Sequence, residues 1–382
     1  MPTHCFHQVL ASSELGGGEL VGLQVAAHLQ QQGRQTQVWI PGAGRAGETS
    51  RNLGLHVETY DAAGAAGRSM RSSVQANLAM ARGLRRAGRG IVHVHAPVWY
   101  GVLRWGLKFS GLTRVAHVHI EEDEAALRWA MKSPPELVIT CAQFLVNTVR
   151  RALPANANTR VIAVQNAVDT DKFAPGDRLL AKQKVGAPLD RPLVLMLANL
   201  APHKGQATAI QAIARLKQQG RAVACWLAGV ERGGATDYTQ QLERMIREAN
   251  VASCVTLLGQ RSDAPDLMRA ADVFLLPSTH EGLPLCILEA QAAQVPVVAA
   301  PTAGVPEIIK DGATGYLVAA DDAIGYAQRI ESLLAAPALG AQLAGAAYEQ
   351  VMREHRWPTY VERITALYDA LLLPRRQRLQ AS

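Results

Sequence analysis

Two carboxylates, Glu281 and Glu289, stand where an apolar run gives way to a polar loop and then to a helical pattern. The run Ala271–Pro277 is typical of a buried parallel strand, and the apolar spacing from Leu283 onward predicts a helix whose first turn accommodates Pro284. A helix of that length would separate the carboxylates by roughly 12 Å. Glycosidase carboxylates flank one bond at roughly 5–9.5 Å. The pair could therefore hold two parts of a long ligand, although the spacing taken alone slightly favours a helix with an acidic first turn.

Three loop-to-helix junctions have the composition of a phosphate-binding site. Gly282 precedes the helix that carries Glu289, Lys204-Gly205 precedes a second helix, and Gly16–Gly18 precedes a third. A helix N-terminus offers backbone N–H groups and the positive end of the helix dipole, and glycine lets a ligand approach closely. Lys204 adds a point charge. For the triple glycine taken by itself, a flexible turn is the simpler interpretation.

A nicotinamide cofactor is disfavoured at the triple glycine. Its fingerprint requires a third glycine at the sixth position and an acidic residue about 20 positions further on. Here the sixth position is Val21, and the second strand, TQVWI, ends without a carboxylate.

Histidines recur at alternate positions of two predicted strands, as His93 and His95 in IVHVH and as His117 and His119 in RVAHVHI. Such a pair can ligate a metal ion when further ligands converge on it. Because the sequence shows no third ligand, it predicts no metal site.

The 382 residues are enough for two domains with complete cores. Eleven apolar runs alternate with helical patterns, which predicts parallel sheets, and a polar stretch over 166–192 divides them into two groups. We place the linker at Asn166–Pro175. No run of 18 apolar residues and no secretory leader are evident. The five scattered cysteines are typical of buried, reduced thiols.

The net charge of +7 is concentrated in the first half of the chain. Between Asp61 and Glu121 there are nine basic residues and no acidic one, and the segment VWYGVLRWGLKF adds aromatic side chains. Basic and aromatic residues together predict that residues 68–114 bind an anionic membrane surface. The alternative is an enzyme whose aromatics lie in the core and whose cations are solvated. No groove-reading or base-stacking motif accompanies the basic stretch, so nucleic acid is not an expected partner.

The E-x7-E pattern after a strand that ends in Pro-Ser, followed by P-V-V-A and GVPEIIKDGATGYLV, resembles glycosyltransferase family 4. The resemblance covers nearly the whole chain. It implies an α/β fold of two Rossmann-like domains that face each other across a cleft (the GT-B type), with a C-terminal helix that crosses back to the N-terminal domain. The implied domains are an acceptor-binding one, 1–168 with the returning helix at about 357–382, and a nucleotide-sugar-binding one, 169–356.

The resemblance also implies roles for single residues. Glu281 would face the donor sugar, Glu289 would hold the ribose hydroxyls, and Lys204 would bind the diphosphate. The family usually pairs that lysine with an arginine five residues earlier, where this chain has Asn199. His119 matches a histidine that faces the donor sugar. The remaining donor-binding positions are Gly17, Gly18, Gly259, Arg261, Gly282, Leu283 and Pro284.

The expected activity is therefore retaining transfer of a sugar from a nucleoside diphosphate sugar to an acceptor hydroxyl, without a metal cofactor. The acceptor would be a sugar or a lipid-linked sugar in polysaccharide, lipopolysaccharide or glycolipid assembly. The expected location is the cytoplasm, including the inner face of the membrane. Three alternatives stay open at this point: a non-catalytic sugar-nucleotide-binding protein, a nucleotide-sugar hydrolase and a phosphorylase of the same fold.

Overall fold

The computed structural model describes residues 4–67, 69–231 and 237–373. The chain divides into two compact units, the first formed by 1–166 with 358–382 and the second by 167–357. The unit boundaries lie close to residues 168 and 357, where the sequence places the domain ends.

The first unit is built on a parallel sheet of seven strands in the order β3-β2-β1-β4-β5-β6-β7. The central strands β1 and β4 are buried at every position, because helices cover both faces of the sheet. The strands are β1 (Cys5–Val9), β2 (Gln35–Ile40), β3 (His56–Thr59), β4 (Gly90–Val94), β5 (Thr113–Val118), β6 (Leu137–Thr140) and β7 (Arg160–Ala163).

Most helices of the first unit connect successive strands of this sheet, as expected for βα repetition. Asp123 caps one of them by accepting hydrogen bonds from the backbone N–H groups of Ala125 and Ala126, so the acidic run that follows His119 is a helix start. The helices are α1 (Gly17–Gln31), α2 (Arg45–Asn52), α3 (Ala62–Ala66), α4 (Met70–Arg86), α5 (Pro97–Ser110), α6 (Glu124–Ala130) and α7 (Phe144–Ala152).

The second unit has a parallel sheet of six strands in the order β10-β9-β8-β11-β12-β13. Its strands are β8 (Leu193–Leu197), β9 (Ala224–Ala228), β10 (Val255–Gly259), β11 (Val273–Leu276), β12 (Val297–Ala299) and β13 (Tyr316–Leu317). Its helices are α8 (Arg178–Val185), α9 (Gln206–Gln218), α10 (Asp237–Glu248), α11 (Ala264–Ala270), α12 (Leu285–Ala292), α13 (Val305–Ile308), α14 (Ala323–Ala335) and α15 (Pro337–Glu354).

The C-terminal helix α16 (Trp357–Leu372) returns to the first unit, as predicted. The ring of Tyr368 stacks on Phe6 of β1 at a centroid distance of 5.5 Å, and Asp369 forms a two-pronged ion pair with Arg34. These contacts bury one face of α16 against the sheet. The predicted continuation beyond 373 lies outside the described residues.

Both sheets have the strand order of a doubly wound fold, with a reversal between β1 and β4 and another between β8 and β11. Open α/β sheets bind ligands beyond the carboxyl ends of the strands at such a reversal. In the first unit, the segments that follow β1 and β4 carry Gly17, Gly18 and His95. In the second unit, they carry Lys204 and Glu281. The topology therefore brings the chemically promising residues of each unit to one edge of its sheet.

Three elements differ from the sequence prediction. Strands β3 and β13 were not predicted, because both are short strands at sheet edges and β3 has no fully buried position. Helix α12 begins at Leu285, since Pro284 has the extended backbone of a capping residue (φ −71°, ψ 121°) and Leu283 precedes it.

No single helix among the described residues is long and apolar enough to span a membrane. Helices α14 and α15 are long and apolar enough only when taken together, and they meet at a bend of 103°. All five cysteines are free thiols, and four of them are buried, as their apolar surroundings predict.

Candidate active site

Lys204 lies in the loop between β8 and α9, at the end of a short 3-10 turn, Pro202–Lys204. The next residue, Gly205, has a left-handed backbone (φ +81°), and a Cβ there would lie 2.1 Å from the carbonyl oxygen of Pro277. Only glycine allows this approach. The backbone N–H of Thr279 donates to the carbonyl of His203 over 2.8 Å, which ties the loop after β8 to the loop after β11.

That contact places Lys204 beside Glu281. The Nζ atom of Lys204 donates to Oε1 of Glu281 over 2.9 Å, and the two side chains are 18% and 9% exposed. The two residues, 77 positions apart in sequence, thus form an ion pair at the strand reversal of the second unit. A carboxylate and an ammonium group in this position can hold the hydroxyls of a sugar and the phosphates attached to it.

Glu289 and Cys286 lie on the same helix, α12. Burial raises the pKa of the Cys286 thiol, the carboxylates of Glu281 and Glu289 raise it further, and Lys204 opposes them. All three charged groups are therefore close enough to act on one thiol. Burial also raises the pKa of Glu289 from 4.5 to about 7, while Lys172 opposes the shift. Elevated carboxyl pKa values of this kind are concentrated at functional sites.

The remaining donor-binding candidates in this unit are arranged around the same edge. Asn199 follows β8, and its carbonyl accepts a hydrogen bond from the side chain of Gln206 at 2.9 Å. Gly282 accepts from the backbone N–H of Gly304 at 2.8 Å, which fixes the loop before α12. Arg261 follows Gly259 of the edge strand β10 and forms an ion pair with Asp263. Its guanidinium is therefore already engaged by a neighbouring carboxylate.

In the first unit, the glycine loop lies against His119. Gly16 caps α1, and its backbone N–H donates to Glu19. A Cβ on Gly18 would lie 3.0 Å from Cδ2 of His119, so the first turn of α1 packs directly on that imidazole. Gly17 is the first residue of the same helix.

The two histidine pairs form one cluster that the sequence did not predict, and His93, His95 and His117 are fully buried in it. The rings of His117 and His119 stack at 3.8 Å, and those of His93 and His95 lie 4.2 Å apart. This juxtaposition follows from strand pairing, because β4 and β5 are neighbours whose register aligns His93 with Val115. Burial lowers the pKa of all four imidazoles, to about 3 for His119, so they are neutral at pH 7.

One nitrogen atom from each of His93, His95 and His117 lies within 4.8 Å of the others, so a third ligand does converge. Tetrahedral zinc ligands lie roughly 3.3 Å apart, which these distances allow, so the ring orientations decide. The rings of His93 and His117 are parallel within 8°. A metal ion lies in the plane of each ring that binds it, so parallel stacked rings do not direct their lone pairs to one point. The geometry favours stacked imidazoles, of which His93 and His95 are also hydrogen-bonded.

Sequence reasoning missed three residues that hold these groups in place. Gly22 packs under His95, since a Cβ there would lie 2.9 Å from its ring carbon Cδ2. Gly229, at the end of β9, approaches Ala198 so closely that a Cβ would lie 1.9 Å from the carbonyl oxygen. Gln8 on β1 accepts a hydrogen bond from His95 over 2.8 Å. Gly22 could have been noticed in the sequence, because a glycine inside a helical pattern often marks close packing. Nothing in the sequence distinguishes Gln8.

Two family models match successive parts of the chain. The model described as Glycosyltransferase Family 4 matches residues 15–172, and the one described as Glycosyl transferases group 1 matches residues 177–350. The D-inositol 3-phosphate glycosyltransferase of Mycolicibacterium paratuberculosis is 28% identical over 390 residues, which cover 94% of this chain and 86% of that protein. That of Mycobacterium bovis is 29% identical over 353 residues, covering 85% and 72%.

Solved structures share the architecture. The Anabaena protein HepE in complex with UDP and glucose superposes with a TM-score of 0.84 at 21% identity, over 96% of this chain and 100% of that one. Sucrose-phosphate synthase from Thermosynechococcus elongatus gives 0.80 at 20% identity, over 99% and 100%. At these identities the likeness establishes the fold. The shared fold assigns this protein to the class of GT-B proteins, which have two Rossmann-like domains.

Within that class, the chain belongs to glycosyltransferase family 4, the family whose motifs it carries. It is a glycosyltransferase.

Proposed function

We propose that this enzyme transfers a sugar, with retention of anomeric configuration, from a nucleoside diphosphate sugar to an acceptor hydroxyl. The observation that carries the proposal is the Lys204–Glu281 ion pair, at 2.9 Å, at the strand reversal of the second unit. Two relatives are named D-inositol 3-phosphate glycosyltransferases, and one structural neighbour binds UDP and glucose. These names support a phosphorylated or polar acceptor and a UDP-type donor.

In this proposal the second unit binds the donor. Glu289 accepts hydrogen bonds from the ribose hydroxyls, Lys204 and the N-termini of α9 and α12 bind the diphosphate, and Glu281 binds the sugar. The phosphate takes over Lys204 as an ionic partner, so the Lys204–Glu281 pair loosens when the donor binds. With Asn199 in place of a second cation, Lys204 supplies most of the charge.

The reaction breaks the bond between the anomeric carbon and the diphosphate oxygen and forms a bond from the same carbon to the acceptor oxygen. The acceptor proton passes to the departing phosphate, and the products are a glycoside and a nucleoside diphosphate. Lys204 and the helix N-termini stabilise the negative charge that develops on the leaving group. Attack on the face that the phosphate leaves retains the configuration.

A donor panel tests this proposal. UDP- and GDP-sugars are added singly, and the melting temperature is recorded with and without each ligand. A donor present at about 100 times its Kd adds about 2.7 kcal/mol to the free energy of unfolding, which raises the melting temperature by several degrees. The matching nucleoside and free sugar, the controls, should give much smaller shifts. No shift with any nucleotide sugar would contradict the assignment.

We further propose that the first unit binds an anionic membrane surface through α4 and α5, which delivers a lipid-linked acceptor. Trp105 and Phe109 on α5 are about half exposed and stack on each other at 6.0 Å. Lys108 lies 5.6 Å over the Trp105 ring. On α4, Met70 and Val74 are 83% and 51% exposed. Exposed rings and aliphatic side chains among cations fit the headgroup zone of an anionic bilayer.

The structure corrects one part of the predicted membrane segment. Tyr100 is completely buried, and its hydroxyl donates to the carbonyl of Ser133, so it belongs to the core. Trp99 is partly buried and packs edge-on against Tyr60 at 5.9 Å. Arg68, at the start of the predicted segment, lies outside the described residues.

We expect the protein to cosediment with vesicles of phosphatidylglycerol and phosphatidylcholine, and not with phosphatidylcholine alone. Each cation near such a surface contributes about 1 kcal/mol, so binding should fade as salt screens the charges. Trp105→Ala with Phe109→Ala should weaken binding at least tenfold. The matched control replaces two exposed leucines of the second unit, Leu179→Ala with Leu180→Ala, and should bind normally. Equal loss in both double variants, or no binding at low salt, would refute the proposal.

A further inference from the structure

A chain of hydrogen bonds runs from His119 into the core of the first unit. Nε2 of His119 lies 3.1 Å from Nδ1 of His95, and Nε2 of His95 lies 2.8 Å from Oε1 of Gln8. The amide nitrogen of Gln8 donates to the hydroxyl of Tyr368 at 3.3 Å, and that hydroxyl lies 2.5 Å from Nδ1 of His93. This series of hydrogen bonds links β1, β4, the end of β5 and α16.

The proton positions follow from the orientation of the Gln8 amide, whose oxygen lies toward His95. An amide oxygen only accepts, so Nε2 of His95 carries the proton of that bond. Because burial holds the pKa of His95 well below its ordinary value, the ring is neutral and its Nδ1 is a lone-pair acceptor. The bond to His119 then requires a proton on Nε2 of His119. Since His119 is neutral as well, its Nδ1 has no proton.

The same orientation of the Gln8 amide sets the direction at the other end of this hydrogen-bond chain. The hydroxyl of Tyr368 accepts from Gln8, which leaves its own proton for Nδ1 of His93. Each bond in the chain thus has one donor and one acceptor.

We propose that His95, held by Gln8, is a positioning residue that fixes His119 with its proton on Nε2 and presents Nδ1 as an acceptor for a substrate hydroxyl. Nδ1 of His119 is buried and has no hydrogen-bond partner among the described residues. Gly18 and Gly22 lie directly against the rings of His119 and His95, where a side chain would collide with them. The selected ligand group is therefore a hydroxyl donor, such as a sugar hydroxyl, rather than a carbonyl or phosphate oxygen. The role in transfer rests on the proposed function; the proton position does not.

The test compares two replacements of His95 that have nearly the same shape. His95→Asn keeps an oxygen where Nδ1 stood, and His95→Leu removes the acceptor. Protein labelled with ¹⁵N-histidine is observed by NMR without substrate, and the His119 signals are assigned from their loss in His119→Asn. In the wild type, we expect a slowly exchanging proton on Nε2 of His119 and an unprotonated Nδ1. The Nε2 proton should persist in His95→Asn and disappear in His95→Leu.

Kinetics give a second readout. Loss of one fixed acceptor is expected to lower kcat/KM roughly three- to tenfold in His95→Leu, chiefly through KM, while His95→Asn stays near the wild type. His117→Leu is the control for ring packing, because it removes a stacked imidazole outside the hydrogen-bonded chain. A proton on Nδ1 of His119, an Nε2 signal unchanged in His95→Leu, or equal kinetic losses in the Asn and Leu variants would overturn the inference. The NMR outcome stands whether or not the enzyme retains configuration.

Discussion

Glu289→Ala is expected to weaken the binding of the free nucleotide roughly ten- to hundredfold. The ribose hydroxyls lose a charged acceptor, and hydrogen bonds to charged groups contribute about 1.5–3 kcal/mol. Titration calorimetry with UDP and GDP measures this directly. Equal affinity in the wild type and in Glu289→Ala would remove Glu289 from the nucleotide site.

Because the pKa of Glu289 is raised, its contribution to ligand affinity should depend on pH. Only the ionised carboxylate accepts from both ribose hydroxyls, so affinity should be full above pH 7 and should fall as the pH drops below its pKa of about 7. Glu289→Gln should abolish this pH dependence. Because the nucleotide phosphates also titrate near pH 6, the nucleoside is the ligand for this comparison.

The stability of the protein should change with pH in the opposite direction to its affinity for the nucleoside. A carboxyl whose folded pKa lies above its unfolded value costs stability once it ionises: the cost is absent below pH 4.5 and complete above about pH 7. Glu289→Gln should therefore raise the free energy of unfolding at pH 8 by about 3 kcal/mol and leave it nearly unchanged at pH 4.5. A residue that weakens the fold at pH 8 and strengthens ligand binding has a functional role and not a structural one. Equal stability of both proteins at pH 8 would show that the carboxylate is well solvated.

Lys204→Ala is expected to have the second large effect. Its side chain is the partner of a carboxylate that is only 9% exposed, so removing it leaves Glu281 buried and uncompensated. The free energy of unfolding should fall by about 3 kcal/mol. Affinity for a nucleoside diphosphate should fall at least tenfold, while affinity for the nucleoside should change little, because the proposal gives the lysine contacts with the phosphates alone.

A second substitution separates the two effects. Adding Glu281→Gln to Lys204→Ala removes the unpaired charge, so the double variant should regain stability without regaining diphosphate affinity. Glu281→Ala alone should reduce turnover more than nucleotide affinity. If Lys204→Ala weakens nucleoside and nucleoside diphosphate alike, the lysine is structural.

Much of the second unit's site could be predicted from the sequence. Lys204, Glu281 and Glu289 occur in local strand–loop–helix patterns, and such patterns place residues at the carboxyl edge of a parallel sheet without knowledge of tertiary contacts. The direct pairing of Lys204 with Glu281 could not be predicted. It depends on Gly205 meeting Pro277, which is a contact between two loops that are distant in the chain.

The histidine cluster illustrates the same limit. The alternation of His93 with His95 and of His117 with His119 fixes a face of each strand, but the sequence does not say that β4 and β5 are neighbours. Once they pair, four imidazoles share one face, and Gln8 and Tyr368 reach them from β1 and α16. A hydrogen-bonded chain built from four elements leaves no signal at any single position.

The most direct test of the central claim is the configuration of the first sugar released from an α-linked nucleoside diphosphate sugar. Glycosyltransferases can pass the sugar slowly to water when no acceptor is present, and ¹H NMR distinguishes the anomers before they equilibrate. We predict that the α anomer appears first, and that Lys204→Ala releases it far more slowly than the wild type. Initial release of the β anomer, or release at an unchanged rate from Lys204→Ala, would contradict retaining transfer at the Lys204–Glu281 site.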